Sequence, residues 1–96
     1  MREYELTIIV DPNTDEEGVT GIVEKVSEQV KGLGGEVASV NVWGRRTLAY
    51  PINRHKEGTY VLFDLKMQPQ TVVDLERVIK LTEQIIRYML IAKEER

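Results

Sequence analysis

The side chains with the widest chemical reach in this chain are the carboxylate run Asp15-Glu16-Glu17 and the single histidine, His55. Carboxylates this close together can hold a divalent cation or divide acid and base work between them. A metal would need further oxygen or imidazole donors, and none converges on the run in sequence. Its position just before an apolar periodic segment fits another use, because negative charge in the first turn of a helix complements the helix dipole. His55 has no identifiable nucleophile to activate and reads as a loop histidine. The chain has no cysteine, which excludes disulfides, thiolate catalysis and cysteine-ligated zinc and fits a reducing compartment. Its glycines match neither a phosphate-binding loop nor a dinucleotide fingerprint. These residues predict no enzyme, no cofactor and no metal site.

The remaining chemistry is basic. A formal net charge of −3 argues against a simple nucleic-acid binder, whose positive charge usually shows in the total. The distribution alters that reading. Residues 1–36 carry nine acidic and three basic side chains, whereas residues 37–67 carry five basic and two acidic. Arg45 and Arg46 are adjacent, and Arg54, His55 and Lys56 follow closely. Charge alone leaves two readings open, a solvated loop and a phosphate-binding surface.

Positioning these groups falls to elements that hydrophobic periodicity locates. Glu3 to Val10 alternates, with Tyr4, Leu6, Ile8 and Val10 on one face, and predicts a strand. Asp11-Pro12-Asn13 breaks it, and Thr14 with Glu17 three residues on predicts a capping box at a helix start. Val19, Ile22, Val23, Val26, Val30 and Leu33 form a helical stripe that Gly34-Gly35 ends. Gly18 and Gly21 weaken the first turns of that helix. Residues 36–46 predict a second strand with a bulge between Val40 and Trp43. Leu48 to Gly58 predicts a hairpin arm with Pro51 on an unpaired edge. Thr59 to Met67 predicts a third strand, Pro69 opens a helix carrying Val72, Leu75, Val78 and Ile79, and Ile85 to Ala92 predicts the fourth strand.

The order β-α-β-β-α-β predicts an α+β, ferredoxin-like fold: a four-stranded antiparallel sheet in the order four-one-three-two, with two helices on one face. The 96 residues predict one domain spanning 1–96. No apolar run approaches the roughly 20 residues of a membrane span, and Met1-Arg2-Glu3 opens no signal peptide, so a cytoplasmic protein is expected. Acylphosphatases share this fold and place an arginine-bearing anion loop after strand one. Here that loop is Asp11-Pro12-Asn13-Thr14-Asp15-Glu16-Glu17, which would repel a phosphate.

The stretch Trp43-Gly44-Arg45-Arg46-Thr47-Leu48-Ala49-Tyr50-Pro51-Ile52-Asn53 is the most distinctive in the chain. Its Gly-x-Arg-x-Leu-Ala-Tyr-x-Ile core resembles the signature of the bacterial small-subunit ribosomal protein six family. The opening Met1-Arg2-Glu3-Tyr4-Glu5 and the run Ile86-Arg87-Tyr88-Met89-Leu90-Ile91 agree with it, so the resemblance covers essentially the whole chain. It implies a structural protein of the small ribosomal subunit that binds the central domain of the small-subunit RNA together with small-subunit ribosomal protein eighteen. It also implies no cofactor, no catalysis, no membrane and no small-molecule substrate. Some members carry a long acidic C-terminal tail, and no role tied to such a tail is expected here.

Residue chemistry assigns roles beside that resemblance. Arg45, Arg46 and Arg54 can donate paired hydrogen bonds to phosphates, and Tyr50 can stack on an unpaired base or fill the core. Arg2 and Arg87 suit either RNA or a surface ion pair with nearby glutamates. Trp43 suits either a cap on the sheet edge or a protein interface. Ile9, Tyr60, Leu62, Met89 and Ile91 point away from both helices and are expected to form a contiguous apolar patch for a protein partner. The aliphatic stems of Arg87, Lys66 and Glu5 offer an alternative cover. A metabolite-binding regulatory module of the same fold is the competing reading, and it gives no reason for a basic hairpin.

Overall fold

The computed structural model describes residues 1–52 and 54–93. Asn53 at the end of the signature stretch and Glu94, Glu95 and Arg96 of the charged tail lie outside the described residues. Strand β1 spans Arg2–Val10, α1 Glu16–Gly32, β2 Glu36–Ile52 and β3 His55–Met67. After a 3-10 turn at Pro69–Thr71 come α2, Val72–Leu81, and β4, Ile85–Ala92. The strands are antiparallel in the order β2-β3-β1-β4, which is the expected ferredoxin-like arrangement. Tyr4, Leu6, Ile8 and Val10 pack with Val61, Phe63, Leu65 and Met67 against Val19, Ile22, Val26 and Val30 of α1 and Leu75 and Ile79 of α2. Both helices therefore cover one face and leave the other open. Tyr88 donates a hydrogen bond to Glu76 at 2.6 Å, which ties the edge strand β4 to α2.

The start of α1 differs from the expected capping box. The N-cap is Asp15, not Thr14, and its Oδ1 accepts from the Gly18 amide at 2.7 Å. Asp15 wins because its carboxylate both accepts that bond and lies at the positive end of the helix dipole. Gly18 belongs to this cap, since a β-carbon there would crowd Thr14 Cγ2 at 2.6 Å. Gly21 has nothing within 4 Å. Gly21→Ala should therefore stabilise the protein by up to about 1 kcal/mol, and Gly18→Ala should gain clearly less. Denaturant midpoints of the two variants, measured side by side, check this ordering. At the other end Gly34 has a φ of 80°, and the amides of Gly34 and Gly35 donate to Lys31 O and Val30 O, closing the helix as expected.

Strands two and three also run further than expected, since the hairpin arm continues both of them to Ile52 and from His55. Register slips occur at Val37–Ser39, Val42–Gly44 and Thr47–Ile52. The middle slip leaves Trp43 and Gly44 together opposite Tyr60, with Gly44 at a φ of 83°, so the predicted bulge sits just beyond its expected place. Such a bulge increases local twist and bends the strand. Pro51 lies on the outer strand β2, in the stretch between Thr47 and Ile52 where the pairing is irregular.

Candidate interaction surface on the open sheet face

The register arranges the open face in rows. Nearest the arm stand Gly44, Tyr60, Ile9 and Arg87; the next row is Asn41, Leu62, Thr7 and Met89; then come Ser39, Asp64, Glu5 and Ile91. The expected contiguous apolar patch is therefore interrupted on β1, where Thr7 separates Leu62 from Met89 and Glu5 separates Asp64 from Ile91. Ile9, which would join the two halves, is only 8 % exposed. The arm covers it: Leu48 is equally buried, and a β-carbon on Gly58 would overlap Ile9 Cγ2 and touch Leu48 Cδ2 at 3.7 Å. Of the six side chains expected to meet a protein partner, Met89, Ile91 and Trp43 are half-exposed or more, Tyr60 and Leu62 are partly covered, and Ile9 is sealed. Between arm and sheet lies a hollow of about 200 Å³ lined by Thr7, Leu48, Tyr50, Arg87 and Met89, with Ile9 at its floor.

The arginines expected to act together diverge. Arg45 faces the helix side, where it donates to Pro12 O at 2.7 Å and stands 3.9 Å from Glu57. Arg46, one residue on, faces the open side and lines a cleft with Trp43 and Tyr60. Arg87 lies on the open face, Arg54 is exposed in the hairpin turn with a φ of 69°, and Tyr50 is 80 % exposed. That exposure sets aside the core alternative for Tyr50. Arg2 pairs with Met67 at the end of β1 opposite the arm, roughly 26 Å away at 3.3 Å per residue. The structure thus brings Arg46, Arg87, Tyr50 and Arg54 to one end of the molecule, keeps Arg45 as a tether of the β1–α1 loop, and leaves Arg2 apart.

The opposite end of the open face is polar. Asp64 accepts from Lys93 at 2.6 Å and from the Ser39 hydroxyl at 2.7 Å, which links the chain after β4 to β3 and β2. These two bonds, Lys93 first, hold the Asp64 carboxyl below its ordinary value of 3.8, and the Asp64 bond holds the Lys93 ammonium above 10.5. Because Asp64 is depressed on folding, its stabilising contribution is present above pH 3.8 and is lost as pH falls through the lowered value. Lys93 contributes below pH 10.5 and loses its share as pH rises further. Both groups are partly exposed, so the effect is small. Melts between pH 5 and pH 2 should show Asp64→Asn losing less stability than the parent over the acid limb; parallel curves would refute the coupling.

Neither candidate catalytic group finds catalytic surroundings. Asp15 is consumed as the helix cap, and Glu16 and Glu17 are exposed in the first turn. His55 stands 3.7 Å from Asp11. Among the described residues no three His, Cys, Asp or Glu side chains cluster as metal ligands, and no helix is long and apolar enough to cross a membrane.

Reading the sequence alone missed Leu48 as the cover of Ile9 and missed that Trp43, Arg46 and Tyr60 share a cleft. The signals were Gly58, which leaves room for the arm, and Gly44, whose positive φ turns the bulge.

An antiparallel sheet covered by helices on one side, with aromatic and arginine side chains gathered at one end of its open side, defines an α+β protein of ferredoxin-like fold. Residues 3–92 match the family described as Ribosomal protein S6, and the chain belongs to that family. It is 43 % identical over 95 residues to small ribosomal subunit protein bS6 of Desulforamulus reducens, covering 99 % of this chain and 100 % of that one. Against the bS6 protein of Corynebacterium efficiens the identity is 47 % over 87 residues, 91 % of this chain and 92 % of that one. The crystal structure of 30S ribosomal protein S6 from Thermotoga maritima superposes with a TM-score of 0.91 at 30 % identity, covering 96 % of this chain and 87 % of that chain. Proteins of this family are structural components of the small ribosomal subunit and not enzymes, so this chain works in translation on the cytoplasmic ribosome.

Proposed function

We propose that the chain binds the central domain of the small-subunit RNA jointly with small-subunit ribosomal protein eighteen. The open face meets the protein through Leu62, Met89 and Ile91, with Trp43 and Tyr60 at the rim and Ile9 supporting them from beneath. Arg46, Arg54, Arg87 and Tyr50 meet RNA at the arm end, while Arg45 and Arg2 contribute from the helix side and the far end of β1. The observation that carries this reading is the meeting of exposed apolar and basic side chains at one end of the open face. A hollow edged by both kinds of group suits a junction between protein and RNA. A net charge of −3 opposes approach to a polyanion, so a basic partner supplies what this chain lacks.

Binding of a central-domain RNA fragment, measured at several salt concentrations with and without the partner protein, tests the proposal. The chain alone should bind weakly and the pair tightly, with a steeper salt dependence. Tight, specific binding by the chain alone at moderate salt would refute partner dependence.

A further inference from the structure

The Trp43 and Tyr60 rings are near-parallel, 11° apart in plane, with centroids 6.5 Å apart. Trp43 remains 51 % exposed, so this pair presents an aromatic surface to solvent. Arg46 completes the cleft beside it, and Arg87 lies across Ile9 in the same row. The bulge at Gly44 creates the arrangement by placing Trp43 beside Tyr60, while Arg46 emerges on the same face.

From this juxtaposition we infer that Trp43, Tyr60 and Arg46 form a site for one unpaired nucleotide, its base stacking on the aromatic pair and its phosphate held by Arg46. The inference deepens the RNA-binding reading and rests on it, and it moves Trp43 and Tyr60 from the rim of the protein contact to the RNA contact. Charge selects the guest. An arginine or lysine side chain from a protein would stack well but meet the Arg46 guanidinium, and an apolar side chain would leave that cation unanswered. A nucleotide satisfies both halves of the cleft, since any base offers a π-face and its phosphate suits a guanidinium.

Trp43 is the sole tryptophan, so its fluorescence reports on the cleft directly. Titrating the full chain at low salt with a six-nucleotide single-stranded oligoadenylate should quench it. An abasic oligomer and a blunt RNA duplex of equal length should not. Tyr60→Leu should weaken the quenching interaction roughly ten-fold, the scale of losing one base stack, and Arg46→Gln should lower the salt slope by about one. Circular dichroism establishes that both variants fold. Unchanged fluorescence, equal quenching by the abasic oligomer, or quenching produced by the partner protein without RNA would each overturn the site. If Trp43→Leu and Tyr60→Leu leave joint assembly on the central-domain fragment at full affinity, the nucleotide site fails while the broader RNA reading stands; if the parent chain does not assemble with that fragment at all, the broader reading fails.

Discussion

Replacing Leu62 with aspartate is expected to abolish association with the partner protein while leaving a folded chain. Leu62 stands on β3 between Asn41 and Thr7, its side chain opposite in parity to the core residues Val61 and Phe63. It lies near the middle of the proposed interface, where anchors of an interface concentrate, and such a residue typically costs at least about 2 kcal/mol when lost. A buried, unpaired carboxylate adds a desolvation penalty, so binding should fall by more than about a hundred-fold. The free chain should lose about 1 kcal/mol or less, because the side chain is only partly covered before association. Titration calorimetry against the partner, beside a thermal melt, reads both quantities. Retained affinity would remove Leu62 from the interface, and collapse of the fold would contradict the face assigned to it.

The second large effect is expected at Gly58. The arm lies on the sheet only because this residue has no β-carbon; one placed there would overlap Ile9 and meet Leu48. Gly58→Ala should cost about 2–3 kcal/mol, the scale of overpacking a fitted contact, and should expose Ile9 and Leu48 together. Leu48→Ala, which uncovers Ile9 without a clash, should destabilise less. Urea denaturation of both variants is the measurement, and a Gly58→Ala protein as stable as its parent would show that the arm does not pack on the open face.

Which parts of this molecule could be read from its sequence depended on whether local signals were sufficient. Strict alternation in Glu3 to Val10 and Thr59 to Met67 placed β1 and β3 and assigned their faces, because a period of two admits only one buried set. Gly34-Gly35 ended α1 by chemistry confined to those residues. The N-terminal cap was less legible, since Thr14 and Asp15 can both cap, and it is the reach of the Asp15 carboxylate to the Gly18 amide at the helix dipole that chooses between them. In the arm, alternation gives way to register slips, so parity no longer tells which way a side chain points. Arg45 and Arg46, by contrast, pair in unbroken register with Thr59 and Gly58, so ordinary alternation sends these two neighbours to opposite faces, with Arg45 held by Pro12 O. The apolar open-face residues were assigned to the correct side, but Thr7 and Glu5 between them, and Leu48 above Ile9, emerge only from strand pairing and the path of the arm.

Hydroxyl-radical footprinting of the chain, free and assembled with its protein partner on the central-domain RNA, tests the central claim most directly. Trp43, Tyr50 and Met89 are exposed and oxidisable on the open side, whereas Leu81 at the end of α2, exposed at 75 %, lies outside the proposed contact. Assembly should protect the first three and leave Leu81 as reactive as before. Protection of Leu81 with Met89 and Trp43 still open to oxidation would place the interface on the helices and contradict the account.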